Sequence, residues 1–557
     1  MKTNITKCLK GFSRQRLKAN WILPVSLVAY LILNLMKSKV YVLGLLLAFI
    51  VAFVVAAYIP SIRKIVNQQQ IAIKLLSFFS ALGCCWFGCN SLYSKLNKYS
   101  EVVTRSVHLG VGTLILPIVV LGLIALIFVY VAMVMFWGYL WKRFRELNLL
   151  QDVTKCELIF YGVVFSILAV YCVVAFCQSR AFYAAGGAKP SDVIYTSDSG
   201  ILVSNDAYLT LTHQENDLRQ PFFALFASPF CGIPYLVSVL FGNKLIVKAI
   251  LENIVQIAML VFANFLLAKA LRVKSAYRVM FVVLLCSTYS QLLFTVMMEQ
   301  YIVAYFWIVI CIFIICSNKK LGLLEFFGAA GSLLTSFVLI PFAVKNPEEK
   351  ISAKTWIIRA FIICCEFFGI FLLFDRVDVF VHLNTTVHNL GQFTGVHATW
   401  GDKILQFVAF VQTIFIAPSA GVVPHGSGAF AWHLMPVQSL AIVGLIILIL
   451  VILSAICNHK ELVCQVSSLW VIFSFLLLFV VGWGTAENGL ILYALYFGWA
   501  YAILLFKLVV KIGDILNIRF VVPVVTALSI LVMFAYNVHG FAELLSFAIT
   551  FYPAVLA

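Results

Sequence analysis

Uninterrupted apolar stretches of about 20 residues, the length a helix needs to cross hydrocarbon, recur along the chain. They fall near 22–36, 40–62, 71–93, 108–140, 157–179, 245–268, 276–297, 300–316, 356–374, 438–456, 463–482, 490–510 and 520–537. The runs are continuous, which selects helices over a membrane barrel, whose strands alternate apolar and polar residues. The stretch 321–343 differs. It carries Gly328, Gly331, Thr335, Ser336 and Pro341, which suit a broken or re-entrant helix rather than a clean crossing. The pattern predicts an all-α polytopic membrane protein of about 13–14 transmembrane helices. Residues 1–150 form an N-terminal four-helix membrane module, and 151–557 form the main transmembrane domain, with long loops at 180–243 and 375–436.

Composition agrees. The chain of 557 residues is 63% hydrophobic and 11% charged, whereas soluble domains are about 45–50% apolar and about 25% charged. Its 39 Lys and Arg against 22 Asp and Glu give a net charge of +17. Many of these cations sit in short clusters at helix ends, where they face an anionic leaflet, so the charge is no nucleic-acid footprint. Cys84, Cys85, Cys172, Cys311, Cys316, Cys364 and Cys365 lie within apolar runs, where Cys serves as a small hydrophobe, and no zinc-type CxxC pair occurs. Lys2, Lys7, Lys10, Arg14, Arg16 and Lys18 precede the first apolar run without a small-residue cleavage site, which predicts a retained first helix.

The Lys/Arg bias sets an expected orientation. The N-terminal cluster, Arg63–Lys64, Lys142–Arg143–Arg145, Lys269–Arg278, Lys319–Lys320, Lys345–Lys354 and Lys507–Lys511 are assigned to the cytoplasm, with Lys95, Lys98 and Arg105 running against the trend. The N-terminus is then cytoplasmic and both long loops lie on the extracellular face of a multi-pass cell-membrane protein. Loops of that length are more often functional than accidental.

The first loop gathers Asp198, Asp206, Glu215, Asp217, His213 and Arg219 with Tyr195, Tyr208 and Gln220, ahead of the apolar segment 221–235. That segment is too short to span and suits an interfacial helix. Glu299, followed by Gln300, stands between two spans, and an ionisable group at such depth is a functional candidate. The second loop offers Asp375, Arg376, Asp378, His382, His388, His397, Asp402, His425 and His433, without the HExxH spacing of a zinc site. Gly482 to Asn488, with Glu487, caps a later span ahead of Tyr493 and Tyr496.

The order of these features resembles the GT-C superfamily of membrane glycosyltransferases, which holds the protein mannosyltransferases and the lipid A aminoarabinose transferase. The resemblance covers roughly residues 157–510. It rests on the helix 157–179, then Asp198, then Arg219-Gln220-Pro221-Phe222-Phe223, the helix 245–268, Glu299 at an interspan junction, and the Gly-rich hairpin from Gly328 to Pro341. Gln220 stands where the family has the first Pro of a Pro-Pro pair, and Thr335-Ser336-Phe337 stands where a Thr-Lys-Gly step is common. The string Glu215 to Pro221 also looks like loops in bacterial membrane proteins of this type.

The resemblance implies two long outer loops carrying interfacial helices. It also implies an inverting transfer of sugar from a polyprenyl-phosphate donor in the membrane lipid to a cell-envelope glycan, lipid or protein acceptor. Asp198 is expected as base, with Asp206 or Asp217 behind it; Arg219 is expected at the phosphate and Glu299 at the acceptor. Asp206, Glu215, Gln220, Tyr208, Gln300, His382 and Glu487 are expected to bind substrate. No cofactor is assigned, and a divalent cation is left open. The competing expectations are a lipid or oligosaccharide transporter or flippase and an envelope polysaccharide polymerase or acyltransferase.

Overall fold

The computed structural model describes residues 66–98, 115–184, 193–195, 197–210, 218–374, 376–391, 393–423, 429–432, 439–485, 490–518 and 520–554, with a few positions before residue 66. The expected spans near 22–36 and 40–62 lie largely outside them. The described chain is a helical membrane bundle: α1 (Ile71–Lys98), α2 (Ile115–Glu146), α3 (Lys155–Gln178), α4 (Ser199–Ser204), α5 (Phe223–Leu240), α6 (Leu245–Ala270), α7 (Ser275–Cys286), α8 (Tyr289–Val296), α9 (Tyr301–Cys316) and α10 (Leu323–Ser332). There follow α11 (Ile340–Val344), α12 (Ala353–Leu373), α13 (Asp378–Val381), α14 (Leu383–Gly391), α15 (Trp400–Phe415), a hairpin of β1 (Ala420–Val423) and β2 (Ala429–Trp432), α16 (Ser439–Cys457), α17 (Leu462–Ser474), α18 (Ala494–Ile515) and α19 (Val521–Phe551). Among the described residues nine helices are long and apolar enough to cross a membrane.

Burial sorts the helices. Every residue of α9 after Tyr301 is buried, so this purely apolar helix is the centre of the bundle. By contrast α3 exposes Ile159, Phe160, Val163, Ile167, Val170 and Val174 along its length, the face expected against lipid. Buried ion pairs close the end where α3 starts and α9 stops. Glu157 takes Arg278 at 2.7 Å and the hydroxyls of Tyr161 and Ser275. Glu325 takes Arg143 at 3.0 Å, and Arg272 donates to the Cys316 carbonyl. Asp198 and Glu299 lie at the opposite end.

Two readings of the sequence need revision. The run 276–297 is not one straight helix: α7 and α8 meet at a bend of 63°. A bend in hydrocarbon leaves backbone groups unpaired, and these must find other partners. Buried Asn537 of α19 supplies them, donating to the carbonyls of Ser287 and Phe415 and accepting from the Ala417 N–H at 2.9 Å. The segment from 221 is likewise longer than expected. It forms the 18-residue α5, which passes through Pro229 and Pro234, and the Ser228 hydroxyl donates to the Leu225 carbonyl that Pro229 leaves without its usual partner.

By length and composition α5 qualifies as a span, yet both its ends attach to the same end of the bundle. Phe223 packs its ring on Tyr208, and Leu240 turns within four residues into α6, whose first turn carries Lys248 on Asp206. Helix α1 crosses α5 with backbones touching at Gly83 and Gly232, and Ser80 donates to the Pro229 carbonyl at 3.0 Å.

The stretch 321–343 is broken, as its glycines predict. Helix α10 ends at Ser332, Leu333 is extended (φ −153°, ψ 106°), and a 3-10 turn follows over Leu334–Leu339. The second loop is mostly ordered structure: α13, α14 and α15, then a hairpin pairing Ala420 with Trp432 and Val423 with Ala429.

Candidate functional site

Asp198 is placed by the residues before it. The Tyr195 N–H donates to the Phe430 carbonyl and Phe430 returns a bond to Val193, each at 2.8 Å, so this strand is fixed to β2. The Tyr195 hydroxyl meets that of Tyr289 at 2.8 Å, and φ of +50° at Tyr195 turns the chain sharply into α4. Asp198 sits at the start of that helix. Its backbone N–H donates to Glu299 Oε1 at 2.5 Å, joining positions 101 residues apart. The Asp198 residue is exposed, whereas Glu299 is 4% exposed.

Burial pushes the Glu299 carboxyl well above the usual range, and the neighbouring Asp198 charge adds to this. The N–H groups of Asp198 and Gln300 and the Arg219 guanidinium act in the opposite direction. The two carboxyl groups thus occupy unlike surroundings, one open and one enclosed. That arrangement separates an exposed carboxyl group from an enclosed one that holds its proton to higher pH.

Arg219, Gln220 and Pro221 form a bend that lies along the break in the glycine-rich segment. The Leu334 N–H donates to the Arg219 carbonyl at 2.7 Å, and the Phe222 N–H donates to the Gly331 carbonyl at 2.8 Å. Arg376, from the second loop, holds the Pro221 carbonyl. These bonds join two irregular segments, each supplying the partners the other lacks. Arg219 stacks its guanidinium over the Phe393 ring at 4.5 Å, and Gln220 donates to the Tyr496 hydroxyl at 3.1 Å.

Phe393 is positioned by a small backbone exchange. Gly484 donates to the Phe393 carbonyl and Gly395 to the Gly482 carbonyl, each at 2.7 Å. Gly484 adopts φ of +78°, and a Cβ there would strike the Tyr493 ring. Trp483 in turn donates to the Tyr493 hydroxyl at 2.9 Å, and Tyr301, Tyr493 and Tyr496 pack their rings together beside Glu299 and Arg219. The result is an acid pair and an arginine, edged by tyrosines and an aromatic wall.

Other sequence candidates find structural employment. Asp206 binds Lys248 at 2.6 Å, and Lys248 also reaches the Val203 carbonyl, so Asp206 anchors the loop to α6. Tyr208 is fully buried and its hydroxyl donates to the Glu299 backbone carbonyl at 3.1 Å. Gln300 lies next to Glu299, and its Oε1 is buried with no partner among the described residues. Asp402 caps α15 through Thr399, a local helix-start role. His382, His388 and His397 are exposed at α13, α14 and the approach to α15, and the structure does not bring them to the acid pair. Glu215, Asp217 and Glu487, with His213, Asp375, His425 and His433, lie outside the described residues. Among those described, no group of three His, Cys, Asp or Glu side chains is placed to hold a metal.

Phe393, Lys248 and Tyr289 are site-supporting residues that the sequence alone does not mark. Lys248 carries a usable signal, a lone cation in the first turns of an apolar span. No family model, curated protein or solved structure matches the chain.

Proposed function

We propose that this multi-pass membrane protein is an outer-face glycosyltransferase of the lipid-phosphate-sugar-dependent kind. The observation that carries the reading is the junction of Asp198 with Glu299 beside Arg219, at the end of the bundle away from the ion-paired arginines. Nucleotide sugars stay in the cytoplasm, so a site facing outward needs a donor that the membrane carries. A polyprenyl phosphate bearing a sugar meets that need, with a cell-envelope glycan, lipid or protein as acceptor.

The chemistry is a single inverting displacement. The acceptor oxygen forms a bond to the anomeric carbon as the bond to the phosphate oxygen breaks, and the acceptor proton passes to the Asp198 carboxylate. The electron pair leaves with the polyprenyl phosphate, where the planar guanidinium of Arg219 matches the phosphate oxygens. Glu299, enclosed and proton-bearing, donates a hydrogen bond that orients the acceptor, and the tyrosine wall receives the sugar.

The convergence of the acid pair and Arg219 at one end of the bundle supports transfer over transport. Glu157 and Glu325 are paired to arginines at the far end, and Glu252 and Glu366 are buried on α6 and α12. The test is the purified Asp198→Asn protein given polyprenyl-phosphate sugar. Asn keeps the shape and removes the basicity, so turnover falls by a factor on the order of 100 or more if Asp198 is the base. Transfer at the wild-type rate refutes the assignment. Deleting the gene and finding which envelope glycan disappears names the acceptor.

A further inference from the structure

Lys248, Glu252 and Gln256 recur every fourth residue of α6 and so form one stripe on it, facing the 206–208 turn and α5. All three are buried, Glu252 and Gln256 completely. Lys248 is satisfied by Asp206 and the Val203 carbonyl. Glu252 is not satisfied: both its carboxylate oxygens are enclosed, and neither has a hydrogen-bond partner among the described residues. The amide of Gln256, one turn deeper, is enclosed likewise, with the Tyr208 hydroxyl beside it. Glu252 lies about 10 Å along the helix from its start, beneath the candidate site.

The groups facing this pocket are few. Lys248 shares the helix, Asp206 and Tyr208 come from the turn, Cys231 and Tyr235 come from α5, and Tyr208 links it to Glu299. On the neighbouring face of α6, Asn253 donates to Cys172 of α3 and to the Thr295 carbonyl. Removing the closed pair of Lys248 and Asp206 from the count leaves one carboxylate, Glu252, without a countercharge. An isolated carboxylate in a low-dielectric interior is too costly to persist, so the pocket needs one positive charge. A divalent ion would leave an excess charge of its own. The donor atoms are hard oxygens, two from Glu252 and one from Gln256, which suit an alkali ion or a proton and not a soft metal.

We propose that this pocket binds one monovalent cation, sodium or a proton, with Glu252 as its charge partner and Gln256 as a neutral oxygen donor. The site is separate from the acid pair above it, and its readout is stability, so an inactive Asp198→Asn protein leaves it standing. The experiment melts the purified full-length protein in sodium, potassium and choline chloride at equal ionic strength, and across pH 5–9 in choline chloride, for wild type and Glu252→Gln. The variant keeps the shape and removes the charge. Sodium occupancy raises the wild-type melting temperature in sodium over choline. Proton occupancy instead makes the protein lose stability as pH rises, without sodium dependence, and this is read in a Glu299→Gln background so that the Glu299 carboxyl does not contribute. In either case adding Glu252→Gln leaves cooperative melting and removes the dependence. The proposal is overturned if neither the sodium response nor the pH response in the Glu299→Gln background appears, or if adding Glu252→Gln leaves that response in full. Should Glu252→Gln fail to fold, wild type and Glu299→Gln decide. Saturable heat on titrating sodium chloride into sodium-free protein, or the infrared band of a protonated interior carboxyl that persists in Glu299→Gln, supports the site; absence of both refutes it.

Discussion

The Tyr208 hydroxyl donates to the backbone carbonyl of Glu299 at 3.1 Å, inside a region closed to water. Tyr208 follows Asp206, itself tied to α6 by Lys248, so this bond connects the first loop to the junction that presents the Glu299 carboxyl. A buried carbonyl stripped of its donor costs about 1–3 kcal/mol. The Tyr208→Phe protein should therefore melt earlier but remain folded. In the proposed transferase Tyr208 positions Glu299 and does not touch substrate, so kcat should fall while the donor KM holds. An unchanged kcat in a destabilised protein would leave Tyr208 a purely structural residue.

Glu299 gives the molecule a defined pH response. Its carboxyl, raised above the usual 4.5 by burial and by Asp198, keeps its proton in the folded state where the unfolded chain has lost it. That contribution to stability is complete below the unfolded value and is lost as pH rises through the folded one. Stability should thus decline as pH climbs above about 4.5, the ordinary carboxyl value. Glu299→Gln still accepts the Asp198 N–H but has no proton to lose. Melting curves from pH 5 to 9 should be flatter for this variant, and parallel curves for the two proteins would contradict the assignment.

How much of this was legible in the sequence follows from what hydrocarbon demands. A crossing helix must be apolar over its own length, so α3, α6 and α12 announce themselves locally. Gly328, Gly331 and Pro341 announce the break in the same way. The bend between α7 and α8 has no such signal, because Ser287 and Thr288 are unremarkable and the partner that makes the bend affordable, Asn537, stands 250 residues away. Helix α5 runs to Leu240, past the expected end of the segment at 235, and its passage through Pro229 is helped by Ser228, whose hydroxyl serves the Leu225 carbonyl. Asp198, Glu299 and Arg219 stand out as charges in an apolar chain, but their convergence depends on β2 and the glycine-rich break. Phe393 is one of 49 phenylalanines, and nothing local distinguishes the one under Arg219.

Gly83 and Gly232 bring α1 and α5 into backbone contact, and a side chain at Gly83 would meet the Gly232 carbonyl. Backbone atoms cannot swing aside, so Gly83→Val should separate the helices or strain them at a cost of about 1–3 kcal/mol or more. Cysteines placed across the contact, as Ser80→Cys with Ser228→Cys, should cross-link more slowly when Gly83→Val is added. Equal cross-linking and equal melting temperature would show that the close approach carries no weight in docking the N-terminal module.

Arg219 offers the sharpest separation of charge from shape. Its guanidinium lies 4.5 Å from the Phe393 ring centroid, so the ring orients the plane of the group. A cation over a ring contributes about 0.5–2 kcal/mol depending on how dry the site is. Arg219→Lys retains the positive charge but has neither the flat face nor the two-pronged edge, so the exchange is not conservative here. If Arg219 holds a phosphate through its edge, the Lys protein should show a raised donor KM and reduced kcat, close to those of Arg219→Ala. If only charge matters, Lys should restore most of what Ala loses. Phe393→Leu completes the argument, since it leaves Arg219 charged and free to tilt. Its donor KM should rise by about 2–30-fold, the kinetic equivalent of losing the stack. Donor kinetics equal to wild type in all three variants would remove Arg219 from the phosphate site.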